Sequence, residues 1–233
     1  MSLFWSKPRI TKSIPETDFR VIRSTFDQRI PDAALPIILS LIHDDNLQLK
    51  ITPHRSSKSG DFRAAHGKYP ARISVNGNLN QYAFLITLIH ELAHYHTWRN
   101  HRHPKHILTL CKSPQPRPHG KEWKNQFHSL MQPFLNEAVF PNDILPLLRC
   151  YLENPKASTG ADHLLSRALL KYDPSDQTLC LDELPPNAVF TINGKRRFRK
   201  KELVRKRYKC ICLGTNRVYL VSPLAPVRMI DDV

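Results

Sequence analysis

His90-Glu91-Leu92-Ala93-His94 puts two imidazoles and a carboxylate within five residues. Residues four apart lie on one face of an α-helix, so His90 and His94 can bind the same zinc ion. Glu91, adjacent in sequence, is placed to reach a zinc-bound water rather than the metal. There it would activate the water by taking its proton, and later deliver that proton to a leaving amine. Zinc lowers the pKa of such a water to about 7 and polarises a substrate carbonyl. The chemistry expected of these residues is metal-assisted hydrolysis. A tetrahedral catalytic zinc needs a third protein ligand and an open fourth position. The downstream candidates are His96, His101, His103, His106, His119 and His128. His96 is two residues from His94, on the wrong face. His101, His103 and His106 fall in a basic, proline-interrupted stretch. His119 is more attractive: it directly precedes Gly120 at the start of a helix anchored by Trp123, and a rigid helix start holds a ligand better than a loose loop.

The elements that must position these residues are legible from periodicity. A helix is expected over about Asn80 to Asn100, with Phe84, Leu85, Leu88, Ile89 and Leu92 as its apolar side. From Phe84 to Ala93 few positions are polar, so His90, Glu91 and His94 share one polar stripe. Three short strands precede it: Leu47, Leu49 and Ile51 in alternation, a weaker Asp61–His66, and Ala71–Val75 ended by Asn76-Gly77. Before these, helices are expected from Thr17 and over Ala33–Ile42, the latter with Pro36 in its first turn. Residues 101–118 read as loop, and a helix from Lys121 carries Trp123, Phe127, Leu130 and Met131 as core positions. Further on, Val189, Thr191, Phe198, Val218, Tyr219 and Val221 suggest short strands, with turns at Asn193-Gly194 and Gly214-Thr215-Asn216.

His90-Glu91-Leu92-Ala93-His94 together with His119-Gly120-Lys121-Glu122-Trp123-Lys124 resembles the SprT-like family, which includes the Spartan DNA–protein crosslink proteases. Gly60-Asp61-Phe62-Arg63 and Ile73-Ser74-Val75-Asn76 resemble that family's strands before the metal helix, and the likeness covers roughly residues 17–135. The resemblance implies a minimal zincin fold, one catalytic zinc held by His90, His94 and His119, and Glu91 as the base. It also implies a link to DNA maintenance or transcription. The expected fold class is α+β: a minimal zincin-like metalloprotease core, helices plus a small three-stranded sheet, followed by a small β-rich C-terminal domain. The expected divisions are a tail at 1–15, the SprT-like zincin domain at 16–150, an acidic linker or helical segment at 151–178, and a small basic β domain at 179–233. SprT-like proteins often end in a zinc ribbon with two cysteine pairs; here only Cys210-Ile211-Cys212 stands at that position. Two thiols, even with Cys180 as a third, do not complete a four-ligand structural site, so no second zinc is expected there.

The charge points to a partner. Lys and Arg number 35 against 20 Asp and Glu, a net +15. Residues 1–150 carry +9, residues 151–184 carry −3 and residues 185–233 carry +9, so an acidic segment separates two basic blocks. Such an excess favours polyanions. The densest run, residues 195–209, supplies Lys195, Arg196, Arg197, Arg199, Lys200, Lys201, Arg205, Lys206, Arg207 and Lys209 for nucleic-acid phosphates. Phe198 and Tyr208, interleaved with them, are expected to stack on unpaired bases. The stretch Arg99–Lys112 adds Arg102 and Lys105 near the expected metal. No run reaches the ~18 apolar residues of a membrane span. With no secretory h-region and five scattered cysteines, a reduced cytoplasmic chain is expected. The function expected is a zinc-dependent metallopeptidase acting on proteins at or near DNA. The alternative is a nucleic-acid-binding or transcription-associated module with a metal-stabilised zincin scaffold and little proteolytic activity.

Overall fold

The computed structural model describes residues 24, 26, 28–42, 47–55, 58–102, 116–156, 162–173, 179–192 and 194–230. The chain divides into two compact units, residues 1–157 and 158–233. The first is helices around a three-stranded sheet and the second is built on a separate six-stranded sheet, so the class is mixed α+β. Among the described residues no helix is long and apolar enough to cross a membrane.

In the first unit, strands β1 (Leu47–Thr52), β2 (Gly60–Arg63) and β3 (Ala71–Asn76) lie in the order β1-β3-β2. β3 is central, parallel to β1 and antiparallel to β2. The alternation of Leu49, Ile51, Ile73 and Val75 turns one sheet face toward Phe84 and Leu88 of the long helix, closing with Phe26 around a small apolar cavity. β2 is shorter than the sequence suggests. It stops at Arg63, and His66 and Tyr69 instead pair with each other across a tight turn in which Gly67 has φ +56°. Ahead of the sheet, Asp32–Ala34 form a 3-10 turn that leads into α1 (Leu35–Leu41), with Pro36 in its first turn and Ile38 and Leu39 buried. The helix expected from Thr17 lies mostly outside the described residues; Ser24 and Phe26 are helical, and Phe26 meets Phe84 edge-on at 6.4 Å.

The long helix, α2, spans Gln81–Arg102. Asn80 caps it: its Oδ1 accepts the N–H of Tyr82 at 3.1 Å and of Ala83 at 2.9 Å, a cap worth about 1 kcal/mol. Its apolar surface is wider than the expected stripe, because Ile86 and Ala93 are also fully buried. Each buried Phe, Leu or Ile side chain contributes about 1.5–3 kcal/mol, so α2 is held from several sides and its middle turns are rigid. α3 (Lys121–Met131) packs along it with Trp123, Phe127, Leu130 and Met131 buried. α4 (Leu145–Glu153) was not expected as a separate element. Its Leu145, Leu148, Tyr151 and Leu152 are buried at helical spacing.

In the second unit, α5 (His163–Leu170) is capped by Asp162, whose Oδ1 accepts the Leu165 N–H at 3.1 Å. An ion pair between Arg167 and Asp182 ties this helix to the segment entering the sheet. The strands are β4 (Leu179–Cys180), β5 (Val189–Ile192), β6 (Arg196–Val204), β7 (Arg207–Cys212), β8 (Val218–Val221) and β9 (Pro226–Ile230), in the order β4-β9-β5-β6-β7-β8. The core joins Leu181, Leu184, Phe190, Phe198 and Val227 to the thiol side chains of Cys210 and Cys212.

Val204 pairs with Arg207, so Arg205 and Lys206 form a two-residue hairpin loop, and Arg205 takes φ +57°. A side chain in that region costs about 1–2 kcal/mol, and two further cations crowd the same tip. Glycine removes the clash but adds freedom to the unfolded chain, worth about 0.5–1 kcal/mol. Arg205→Gly is therefore expected to stabilise the second unit by about 0.5–1 kcal/mol in a denaturant melt. An unchanged or lower midpoint would contradict this account of the turn.

Candidate metal centre

His90 and His94 project from the same face of α2, one turn apart, in the middle of the stretch that burial makes rigid. The third imidazole comes from the turn before α3. Gly120 N–H bonds to Arg117 C=O at 2.8 Å, Pro118 follows Arg117, and His119 has φ +56°. Proline second and a positive φ third is the pattern of a type II turn. A non-glycine residue there is strained, and the strain buys direction: the imidazole of His119 meets the other two. Gly120 then caps α3 in extended conformation, where a Cβ would sit 2.9 Å from the Arg117 carbonyl oxygen.

The three Nε2 atoms form a nearly equilateral triangle, with His90–His119 at 3.1 Å, His90–His94 at 3.2 Å and His94–His119 at 3.0 Å. Hydrogen bonding does not explain three such contacts. A single imidazole nitrogen carries either a proton or a lone pair, so three nitrogens cannot each donate and accept around a ring. Three lone pairs converging on one cation do explain them. Nitrogens on a tetrahedral zinc at 2.0–2.1 Å stand about 3.3–3.4 Å apart, close to the spacing here. The cluster can therefore hold a metal ion, and among the described residues it is the group of histidine, cysteine and carboxylate ligands that can. Burial, with the neighbouring imidazoles, holds His90 down to about 3 and His94 to about 4, and burial also lowers His119. All three are neutral at pH 7, the state a metal ligand needs.

Trp123 forms the floor. Its indole ring lies 4.6 Å from the His90 ring, 5.3 Å from His94 and 4.7 Å from His119, and its N–H reaches the His90 carbonyl at 3.4 Å. Phe127 stacks beneath it at 5.1 Å. The indole is thus both core and support for the ligands.

Glu91, on the same helix, lies against β2 at Gly60 and Phe62. It is only 6% exposed. Burial, reinforced by the Asp61 carboxylate, pushes it up to about 7, against the Phe62 backbone N–H that it accepts and the cations Arg55 and Lys58. A carboxylate poised near 7 suits proton transfer at neutral pH. Gly60 makes room for it: a Cβ there would overlap Glu91 Oε1 and come within 2.8 Å of Glu91 Cγ and of Thr87 Cγ2. Sequence reasoning missed this role for Gly60, because it depends on the approach of a helix some thirty residues away. Gly60→Ala is expected to displace the Glu91 carboxylate and to cost about 1–3 kcal/mol of stability through overpacking, without changing metal content. A denaturant midpoint equal to wild type would refute this close contact.

The remaining candidates are elsewhere. His96 sits against the Tyr95 ring, His101 is in the last turn of α2, and His128 contacts Gln132 on the exposed side of α3. His103, His106 and Lys105 lie outside the described residues. Tyr95 is buried against Phe62 and Trp98, and Tyr69 is exposed at its turn. Lys195, Arg196, Arg197, Arg205, Lys206 and Arg207 are exposed, and Arg199, Lys201 and Lys209 partly so. Lys200 is not available for phosphate contact, which corrects the sequence expectation. The inward phase of β6 buries it to 4% exposure, with Nζ donating to the carbonyls of Leu184 at 2.5 Å and Asp182 at 3.3 Å. No family model matches the chain, and no curated protein or solved structure matches it at a significant level.

Proposed function

We propose that the chain is a zinc-dependent metallopeptidase of SprT-like, zincin type, acting on proteins at or near DNA. The observation that carries this reading is the triangle of His90, His94 and His119 Nε2 atoms beside a buried carboxylate, Glu91, on the same helix. A bound zinc would supply a Lewis acid that acidifies water and polarises a carbonyl. The chain's own groups supply the rest. The imidazoles hold the ion, Trp123 and the buried turns of α2 fix the imidazoles, and Glu91 takes a proton from water and returns it to the leaving nitrogen. The Phe62 N–H orients the Glu91 carboxylate. β2 pairs only with β3 among the described residues, leaving an edge beside Glu91 where an extended peptide can add as a strand. That edge favours a peptide over a small amide as substrate.

A scaffold that keeps metal for stability alone has no use for a buried carboxylate or for the gap at Gly60, so the module-only reading is the weaker one. The test is hydrolysis of a DNA-bound protein by the full chain, with and without a chelator, followed by zinc replacement. Activity lost with the metal and restored by it is the expected result; equal cleavage by the metal-free chain would sink the proposal.

A further inference from the structure

We infer that the β6–β7 hairpin is an arm for the groove of B-form duplex DNA, held by phosphate contacts without base stacking. This rests on the part of the proposed function that places the chain at nucleic acid. The argument begins with strand pairing. β5 pairs with β6 only over Arg196–Arg199, and β8 pairs with β7 only over Tyr208–Ile211. From Glu202 to Arg207 the two strands have only each other, and all six residues are exposed on both faces. The hairpin therefore projects from its sheet as a two-stranded ribbon.

The tip of that ribbon is cationic. Arg205, Lys206 and Arg207 are exposed, and among the described residues no ion pair reaches them, whereas Lys209 at the base is matched by Glu202 at 3.2 Å. Sequence alone suggests aromatic stacking on unpaired bases, and the structure removes it. Phe198 is turned into the core and stacks on Phe190 at 5.7 Å, and the face of Tyr208 is occupied by the Lys200 ammonium at 4.2 Å. What remains outside is charge and the aliphatic Leu203 and Val204. A single strand binds such a surface without the stacking that usually stabilises it. A duplex presents one charge per ~1.7 Å of axis, and its major groove, about 12 Å wide, admits a two-stranded β-ribbon. The A-form major groove of duplex RNA is too narrow for one.

The test is fluorescence anisotropy of the zinc-loaded full chain against a two-turn DNA duplex, its single strand, an RNA duplex of the same length and polyglutamate, over a salt series. The duplex DNA is expected to bind at least about 10-fold tighter than the other probes. In R205Q/K206Q/R207Q the slope of log affinity against log salt is expected to shrink by about 2–3, with affinity down roughly 10- to 100-fold near 0.1 M salt. Circular dichroism and zinc content check that variant's fold, and the single change K206E gives an independent reading in the same direction. Equal or tighter binding of the single strand or the RNA overturns the groove assignment while leaving a nucleic-acid partner. Binding of polyglutamate alone, or of nothing, overturns both. Duplex affinity that ignores both variants overturns the ribbon.

Discussion

Glu91→Gln is expected to keep one zinc per chain and to lose about 10²- to 10⁴-fold in hydrolytic rate, the range of a general base. The substitution keeps the volume and one acceptor oxygen, so the Phe62 N–H still has a partner and the clearance over Gly60 is still filled. It removes the one thing the mechanism needs, a group that can take a proton. The candidate ligands are three imidazoles, so the change removes none of them. The assay pairs metal analysis with cleavage of a DNA-bound protein by wild type and variant side by side. Loss of zinc together with activity would make Glu91 structural, and undiminished cleavage would remove it from the mechanism.

The second large effect is expected from His119→Gly. The change deletes one of three ligands and at the same time relieves a backbone held at φ +56°, so its two consequences have opposite signs. Without metal the variant should be as stable as wild type or up to about 1 kcal/mol more so, since glycine accepts this conformation freely. With metal it should lag far behind. Outer-shell changes at metal sites already cost 10–100-fold in affinity, and loss of a ligand is expected to exceed about 100-fold. A wild-type chain at a thousandfold excess of zinc over its dissociation constant gains about 4 kcal/mol; the variant should gain no more than about 1.4 kcal/mol at that concentration. Thermal melts with and without zinc read both terms. Equal zinc-induced shifts in the two proteins would remove His119 from the ligand set.

These two residues were legible in the sequence for different reasons. His90, Glu91 and His94 are local to one helix, where spacing alone sets direction. His119 stands out because a helix start with an anchoring tryptophan is readable beside it. Gly60 was not, because its meaning comes from a contact between α2 and β2 that no local pattern encodes. The burial of Phe198 and Lys200 follows a period of two that a run of cations conceals, and the irregularity between Lys200 and Leu203 then breaks that period. The parallel pairing of β1 with β3 was also hidden, since nothing in the alternation of either strand names its neighbour. α4 is readable from Leu145, Leu148 and Leu152 and from Pro146 in its first turn, although Ile144 offers no side-chain cap.

His94 and His119 stand 25 residues apart in the chain and 3.0 Å apart at their ring nitrogens. An ion joining them is a crosslink. Because it would bind the folded chain, it would stabilise by mass action rather than by restricting the open chain. Unlike a disulfide it is indifferent to thiols and answers to chelators. It also forms late: two ligands on one helix hold a metal loosely, and tight capture must wait until α3 has docked. Followed during refolding, zinc uptake would be a clock for that docking step.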